Sequence, residues 1–232
     1  MDIRKKVGKR LRGFAVTQGA CYGDDGHIYM VFERKKSKKK THRCKIVKLT
    51  KDQKVVKVSG ALKLGHGNDI CYRDGILYVT HSDSSKVIHR VDAKTLKQMK
   101  GIKVQYKSGG WNGITCYKNG FLLRKIGGNY VFEVDAKMRV IRKFKLKKSF
   151  KTSQGICWHG GRLYRGSSIL QSKRNYVSIY TNTGRYCGKR HLDIKCELEG
   201  VFFIGEQLYV TYYKKYKKGG KKHYEAHIKR LG

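Results

Sequence analysis

Asn112-Gly113-Ile114-Thr115-Cys116-Tyr117-Lys118-Asn119-Gly120-Phe121-Leu122-Leu123 reads as two short apolar strands joined by a tight turn. Branched and aromatic residues suit a pleated, half-buried surface, and Asn-Gly between apolar runs is a strong local hairpin signal. The pattern recurs. Gln18-Gly19-Ala20-Cys21-Tyr22, Asn68-Asp69-Ile70-Cys71-Tyr72, Gln154-Gly155-Ile156-Cys157-Trp158 and Glu199-Gly200-Val201-Phe202-Phe203 keep the same order of residue types. Along the column Cys21, Cys71, Cys116, Cys157 and Phe202 the steps are 50, 45, 41 and 45 residues. A period of ~40–50 residues made of short strands is the signature of propeller blades.

Each start leads through a turn such as Asp74-Gly75 or His159-Gly160-Gly161 into a second run: His27 to Phe32, Ile76 to Thr80, Phe121 to Leu123, Arg162 to Tyr164 and Gln207 to Thr211. A third, alternating strand and a fourth, very basic one complete four of the units. The fifth reaches Gly232 without a fourth strand. The residues from Ile3 to Leu11 precede the first unit as a fourth strand precedes the others. We therefore expect an all-β, five-bladed β-propeller over residues 1–232, with the N-terminal strand closing the last blade. The blades span roughly 13–62, 63–104, 105–146, 147–192, and 193–232 plus 1–12. Closure removes the open sheet edge that invites aggregation. An ordinary β-sandwich has similar hairpins but does not repeat column by column.

No apolar run approaches the ~18 residues a membrane helix needs, so no membrane insertion is expected. Residues 1–16 lack an apolar core segment, so no leader is expected within the chain. The seven cysteines show no CxxC and no metal-ligand spacing, and we expect neither metal nor cofactor. A column that accepts Cys or Phe reads as apolar packing between blades. Neighbouring sheets stand ~10 Å apart and a disulfide needs Cα atoms within ~7 Å, so these cysteines are expected as free thiols. Free thiols favour a reducing setting, which leaves a cytoplasmic location open beside a secreted one.

Lys and Arg number 54 against 16 Asp and Glu, a net charge of +38. Solubility alone requires a magnitude of only ~2–8. Some of the charge protects outer strands from edge pairing. The densest runs, however, follow second strands of the first and fifth blades, which ring closure makes neighbours. They hold Lys35, Lys36, Lys38, Lys39 and Lys40, then Lys214, Lys215, Lys217, Lys218, Lys221 and Lys222. Together they form one expected anion-binding patch beside the channel mouth. The polar residues leading the first strands gather at that mouth: Gln18, His66, Asn68, Asp69, Trp111, Asn112, Gln154 and Glu199. Amides and an indole around a concave opening suit sugars or bases; the same groups also serve to cap backbone and hold channel water.

Gly65-His66-Gly67-Asn68-Asp69-Ile70, with Leu77 to His81 and Val91 to Leu96, resembles a blade of secreted bacterial propellers. The Gln-Gly-x-Cys starts are similar to helveticin-J-like and NHL-type propellers. That resemblance implies the fold and a secreted protein acting at bacterial surfaces; it supplies no catalytic residue. The expected function is non-catalytic binding of an anionic polymer, namely teichoic acid, acidic polysaccharide or nucleic acid, by a monomer. Nucleic acid is favoured by Tyr212, Tyr213 and Tyr216 among the lysines. The enzymatic alternative is a five-bladed glycoside hydrolase using Asp69 and Glu199, with Glu33 a further candidate. The first and third blades offer Gln18 and Asn112 where such enzymes place acids.

Overall fold

Nineteen strands fold into five antiparallel sheets in the computed structural model, which describes residues 1–34, 42–83, 85–148, 152–169 and 174–232. The first blade holds β1 (Phe14–Tyr22), β2 (His27–Arg34), β3 (Cys44–Thr50) and β4 (Val55–Val58). The second holds β5 (Asp69–Arg73), β6 (Ile76–Thr80), β7 (Val87–Asp92) and β8 (Gln98–Lys103). The third holds β9 (Trp111–Tyr117), β10 (Gly120–Lys125), β11 (Tyr130–Val134) and β12 (Val140–Lys145). The fourth holds β13 (Ser153–His159), β14 (Arg162–Ile169), β15 (Arg174–Tyr180) and β16 (Tyr186–Leu192). The fifth has three strands, β17 (Glu197–Ile204), β18 (Gln207–Lys218) and β19 (Lys221–Leu231).

Strands within each blade pair in sequence order. The first strands β1, β5, β9, β13 and β17 contact one another in a ring, and β17 returns to β1. The chain is therefore a five-bladed β-propeller, as the repeat columns predict. Apolar residues alternate along the strands and meet between blades, giving five core clusters, one at each blade–blade junction. Among the described residues, no helix is long and apolar enough to cross a membrane.

The N-terminal segment closes the last blade, but as a helix and not as the expected strand. Helix α1 (Ile3–Val7) runs into a 3-10 turn over Gly8–Leu11. Ile3, Val7 and Leu11 are spaced four apart, so a helical path puts all three on one face. A strand would bring Lys5 and Lys9 onto that same face. All three apolar side chains are at most 3% exposed, packed on Phe14, Phe202 and Ile228. Asp2 caps α1, accepting from Arg4 N at 2.9 Å. The same oxygen accepts from Ala226 N at 3.0 Å, which ties the chain start to β19.

Two details of local chemistry depart from the sequence reading. The loop between β9 and β10 is Lys118-Asn119, with Lys118 at φ 48°, and Gly120 already pairs with Tyr117. Gly120 is glycine because a Cβ there would collide with the Val134 carbonyl. The run from Lys214 to Lys222 is not a loop. It extends β18 and β19 into a two-stranded arm turning at Gly219-Gly220.

Candidate functional site

The repeat motif places Gly19, Asp69, Gly113, Gly155 and Gly200 in one column on the innermost strands. Asp69 alone carries a side chain into the channel axis there. The same register puts Thr115, not the expected Cys116, level with Cys71, Cys157 and Phe202, because the third unit has one extra residue before its cysteine. A Cβ on Gly19 or Gly155 would lie 2.9 Å from Asp69 Oδ1, so glycine at those positions makes room for the carboxylate. Asp69 Oδ2 accepts from Ile114 N and Ile156 N at 3.0 Å each, and Oδ1 accepts from Ile70 N at 3.0 Å. The group thus joins blades two, three and four. Burial raises its pKa to about 7, against the pull of the three backbone donors and of Arg124. Asp69 is a channel plug. Expected among the ligand-binding residues and as a glycosidase carboxylate, it is instead held by backbone amides and is not among the residues that line the cleft described below.

Beneath the plug lies a cavity of about 190 Å³ lined by Cys21, Cys71, Cys116, Cys157 and Phe202, among others. All seven cysteines are free. Burial raises the Cys21 and Cys71 thiols well above their ordinary value. A hydrogen bond from Cys71 lowers that of Cys116. Reactivity follows thiolate character and access. We expect iodoacetamide to label the exposed Cys187 first, with Cys21, Cys44 and Cys71 untouched until unfolding. Peptide mapping after timed alkylation checks the order. Early labelling of Cys71 would contradict the packing.

On the opposite side of the plug the channel opens into a cleft of about 640 Å³, whose wall includes His66, Asn68, Asn112, Gln154, Arg124, Arg165 and Glu197. Arg124 rises from β10 and Arg165 from β14, at 4% and 1% exposure. Arg124 Nη1 donates to Asn112 Oδ1 at 2.6 Å, while its buried Nε has no hydrogen-bond partner among the described residues. Arg165 Nε donates to Ser153 Oγ at 2.8 Å. Burial, followed by the charge of Arg165, pushes Arg124 down to about 9. Burial also lowers Arg165. Two guanidinium groups thus stand close together at the floor of an open cleft.

Carboxylates occupy the other side of the opening. Glu197 Oε1 accepts from Gln154 Nε2 at 3.2 Å, and the Tyr213 hydroxyl donates to its other oxygen. Glu199 is fully buried; burial first, then Glu197 and Glu33, raises it well above the ordinary range. At the rim, Glu33 Oε1 lies 2.8 Å from His66 Nδ1 and 3.0 Å from His42 Nδ1. The mouth is therefore polarised: cationic on blades three and four, acidic on blades five and one.

Of the residues expected at the mouth, His66, Asn68, Asn112 and Gln154 line the cleft. Gln18 and Glu199 are buried at 4% exposure. Trp111 does not face the opening. It is fully buried, its ring edge-on to Phe132 at 5.2 Å. Lys35, Lys36, Lys38, Lys39 and Lys40 lie outside the described residues. Lys214, Lys215, Lys217, Lys218, Lys221 and Lys222 are exposed on the β18–β19 arm, which continues from the mouth side, where Glu197 pairs with Tyr213. Lys217 pairs with Lys222 and Lys218 with Lys221, so like charges face each other at the tip. Tyr216, also exposed, stacks on His223 at 5.4 Å. The reading of the sequence missed Arg124, Arg165 and Glu197. Its signal was there: each arginine continues an apolar second strand, after Leu122-Leu123 and after Leu163-Tyr164.

No family model matches the chain, and no curated protein matches it in sequence. Solved structures do share its fold. The chain is similar to the glutaminyl cyclase of Myxococcus xanthus at TM-score 0.62 and 13% identity, covering 95% of this chain and 93% of that one. It is also similar to a family-43 β-xylosidase/α-arabinofuranosidase from a compost microbial metagenome, in complex with xylotriose. There the TM-score is 0.61 and the identity 12%, over 94% of this chain and 91% of that one. At such identity the likeness establishes the propeller and nothing finer.

Proposed function

We propose that this propeller is a non-catalytic binding module for an anionic polymer. In this reading Arg124 and Arg165 hold an anionic group in the cleft, and the lysines of the β18–β19 arm steer the chain of charges towards it. The observation that carries the reading is the pair of buried, like-charged guanidinium groups at the cleft floor. Among the described residues Arg124 forms no ion pair with a carboxylate. Burying like charges together is unfavourable, and an entering phosphate or carboxylate relieves it. The amides Asn68, Asn112 and Gln154 remain for the neutral part of the ligand. The facing lysines at the arm tip gain in the same way from a polyanion.

The resemblance to helveticin-like propellers supports a surface polymer such as teichoic acid or acidic polysaccharide, and an extracellular location. The glycosidase alternative draws less support from the cleft, whose lining includes neither Asp69 nor Glu199. That chemistry needs two carboxyl groups flanking a sugar, whereas Asp69 is tied to three backbone amides and Glu199 is buried.

Fluorescence anisotropy with labelled poly(glycerol phosphate), polygalacturonate and single-stranded RNA, over a salt series, tests the proposal. Arg124→Met with Arg165→Met should weaken the preferred polymer about 100-fold or more, since each charged hydrogen-bonding group contributes about 1.5–3 kcal/mol. Lys→Glu at the six arm positions should flatten the salt dependence; for a nucleic acid the slope falls by ~0.7–0.9 for each phosphate that is no longer neutralised. Glu at Lys143, Lys145, Lys147 and Lys148 on the outer edge of blade three should do much less. Equal losses from arm and edge sets, with none from the arginine pair, would reduce the binding to diffuse adhesion.

A further inference from the structure

We infer that Glu33, His42 and His66 form a binding site for a divalent transition metal at the rim of the cleft. The three residues come from separate segments: the end of β2, the residue two before β3, and the loop before β5. No spacing motif reveals them, because only the fold brings them together. Their donor atoms all lie within 4.8 Å of one another. Both imidazoles aim Nδ1 at one carboxylate oxygen, at 2.8 and 3.0 Å, and the two rings meet edge-on at 6.1 Å and 77°. In a tetrahedral site with bonds of about 2.0–2.2 Å, neighbouring donors stand roughly 3.3–3.5 Å apart. With the nitrogens 2.8 and 3.0 Å from the oxygen and all three donors within 4.8 Å, side-chain shifts below about 1 Å bring them to that geometry.

The surroundings fit this use. The chain carries 54 Lys and Arg, yet among the described residues Glu33 makes no ion pair with any of them; its partners are the two histidines. Glu33 is 8% exposed and held from both sides, its backbone paired with Val16 and Cys44. His66 and His42 are more open, which leaves a path for an ion. Two nitrogens and one carboxylate oxygen select zinc, nickel or copper over magnesium or calcium, which take oxygen ligands. Three protein ligands leave a fourth position open, as in zinc sites that exchange a ligand. Because His66 belongs to the cleft wall, an ion here stands beside the polymer site without depending on it.

The test is titration of reduced, metal-free protein with CoCl₂ and with ZnCl₂, followed by absorbance and by calorimetry. One ion per chain should bind saturably at micromolar concentration. The cobalt spectrum should lack the intense near-ultraviolet band of thiolate ligation, which separates this site from the cysteine-lined cavity. His42→Ala, His66→Ala and Glu33→Gln should each weaken binding by more than the ~10–100-fold that loss of an outer partner costs. His191→Ala should leave it unchanged. Melting curves without metal show whether each variant folds, and zinc at 100 times its Kd should raise the wild-type midpoint by ~5 °C or more. Absence of saturable binding, a thiolate band on the bound cobalt, or equal affinity in folded His42→Ala and His66→Ala would each overturn the assignment.

Discussion

Removing residues 1–12 lowers the melting midpoint of the whole chain by about 10 °C or more. The segment contributes Ile3, Val7 and Leu11, all at or near zero exposure, to the junction between the fifth and first blades. Full burial of such a side chain stabilises by ~1.5–3 kcal/mol, so three supply roughly 5–9. A domain is stable by only ~5–15 kcal/mol in total. For a chain of this size each kcal/mol moves the midpoint by ~2–4 °C. The loss also opens the junction where the ring closes and leaves Ala226 N without its Asp2 acceptor. Circular dichroism melts of the truncated and full chains make the comparison. A midpoint within a few degrees of the full chain's would show that α1 is an appendage.

Asp69→Ala produces the second large effect. It removes the acceptor of three backbone N–H groups at a fully buried position, and each buried unpaired donor costs about 1–3 kcal/mol. A loss of roughly 3–9 kcal/mol is expected at pH 6, or about 6–36 °C. Asp69→Asn isolates the titration. The folded pKa of about 7 exceeds the ordinary value of 3.8, so between those limits the native state holds a proton that the unfolded chain releases. This contribution is fully present below pH 4 and is lost as pH rises through 7, by at most roughly 4 kcal/mol. Burial lowers His81, and takes His89 to about 4; both act in the opposite sense on the acid side. Their contribution is common to wild type and Asp69→Asn and cancels in the difference. The stability advantage of wild type over Asp69→Asn should therefore shrink from pH 4 to pH 8 in urea titrations. Parallel pH profiles would mean that the carboxyl is ionised throughout.

The fold was legible because a propeller writes its period into the chain. Turn, strand and column recur even where residues vary. The N-terminal helix was legible too, in the spacing of Ile3, Val7 and Leu11, but the analogy with preceding fourth strands hid it. The site was harder to read for a geometric reason. Successive strand residues face opposite sides, so Asn112 reaches the cleft while Trp111, one residue away, enters the core. Assigning both to the mouth ignored that alternation. Arg124 and Arg165 escaped notice because a charge after an apolar run reads as the end of a strand. Here it marks the point where the strand enters the cleft. The Glu33–His42–His66 cluster joins residues 33 positions apart at its extremes and has no local trace.

The lone side chain in the glycine column has a bearing on how such a ring originates. Five copies of one ancestral unit would be interchangeable about the axis, and units could be shuffled, lost or duplicated without penalty. Asp69 ends that equivalence. Two such carboxylates would set like charges against each other in a space that glycines keep open for one, and none would leave an unfilled bore with stranded amides. The five units are therefore not interchangeable about the axis. Each unit now has a single permissible seat, and the cations and carboxylates at the mouth can diverge knowing, in effect, which neighbour they will face.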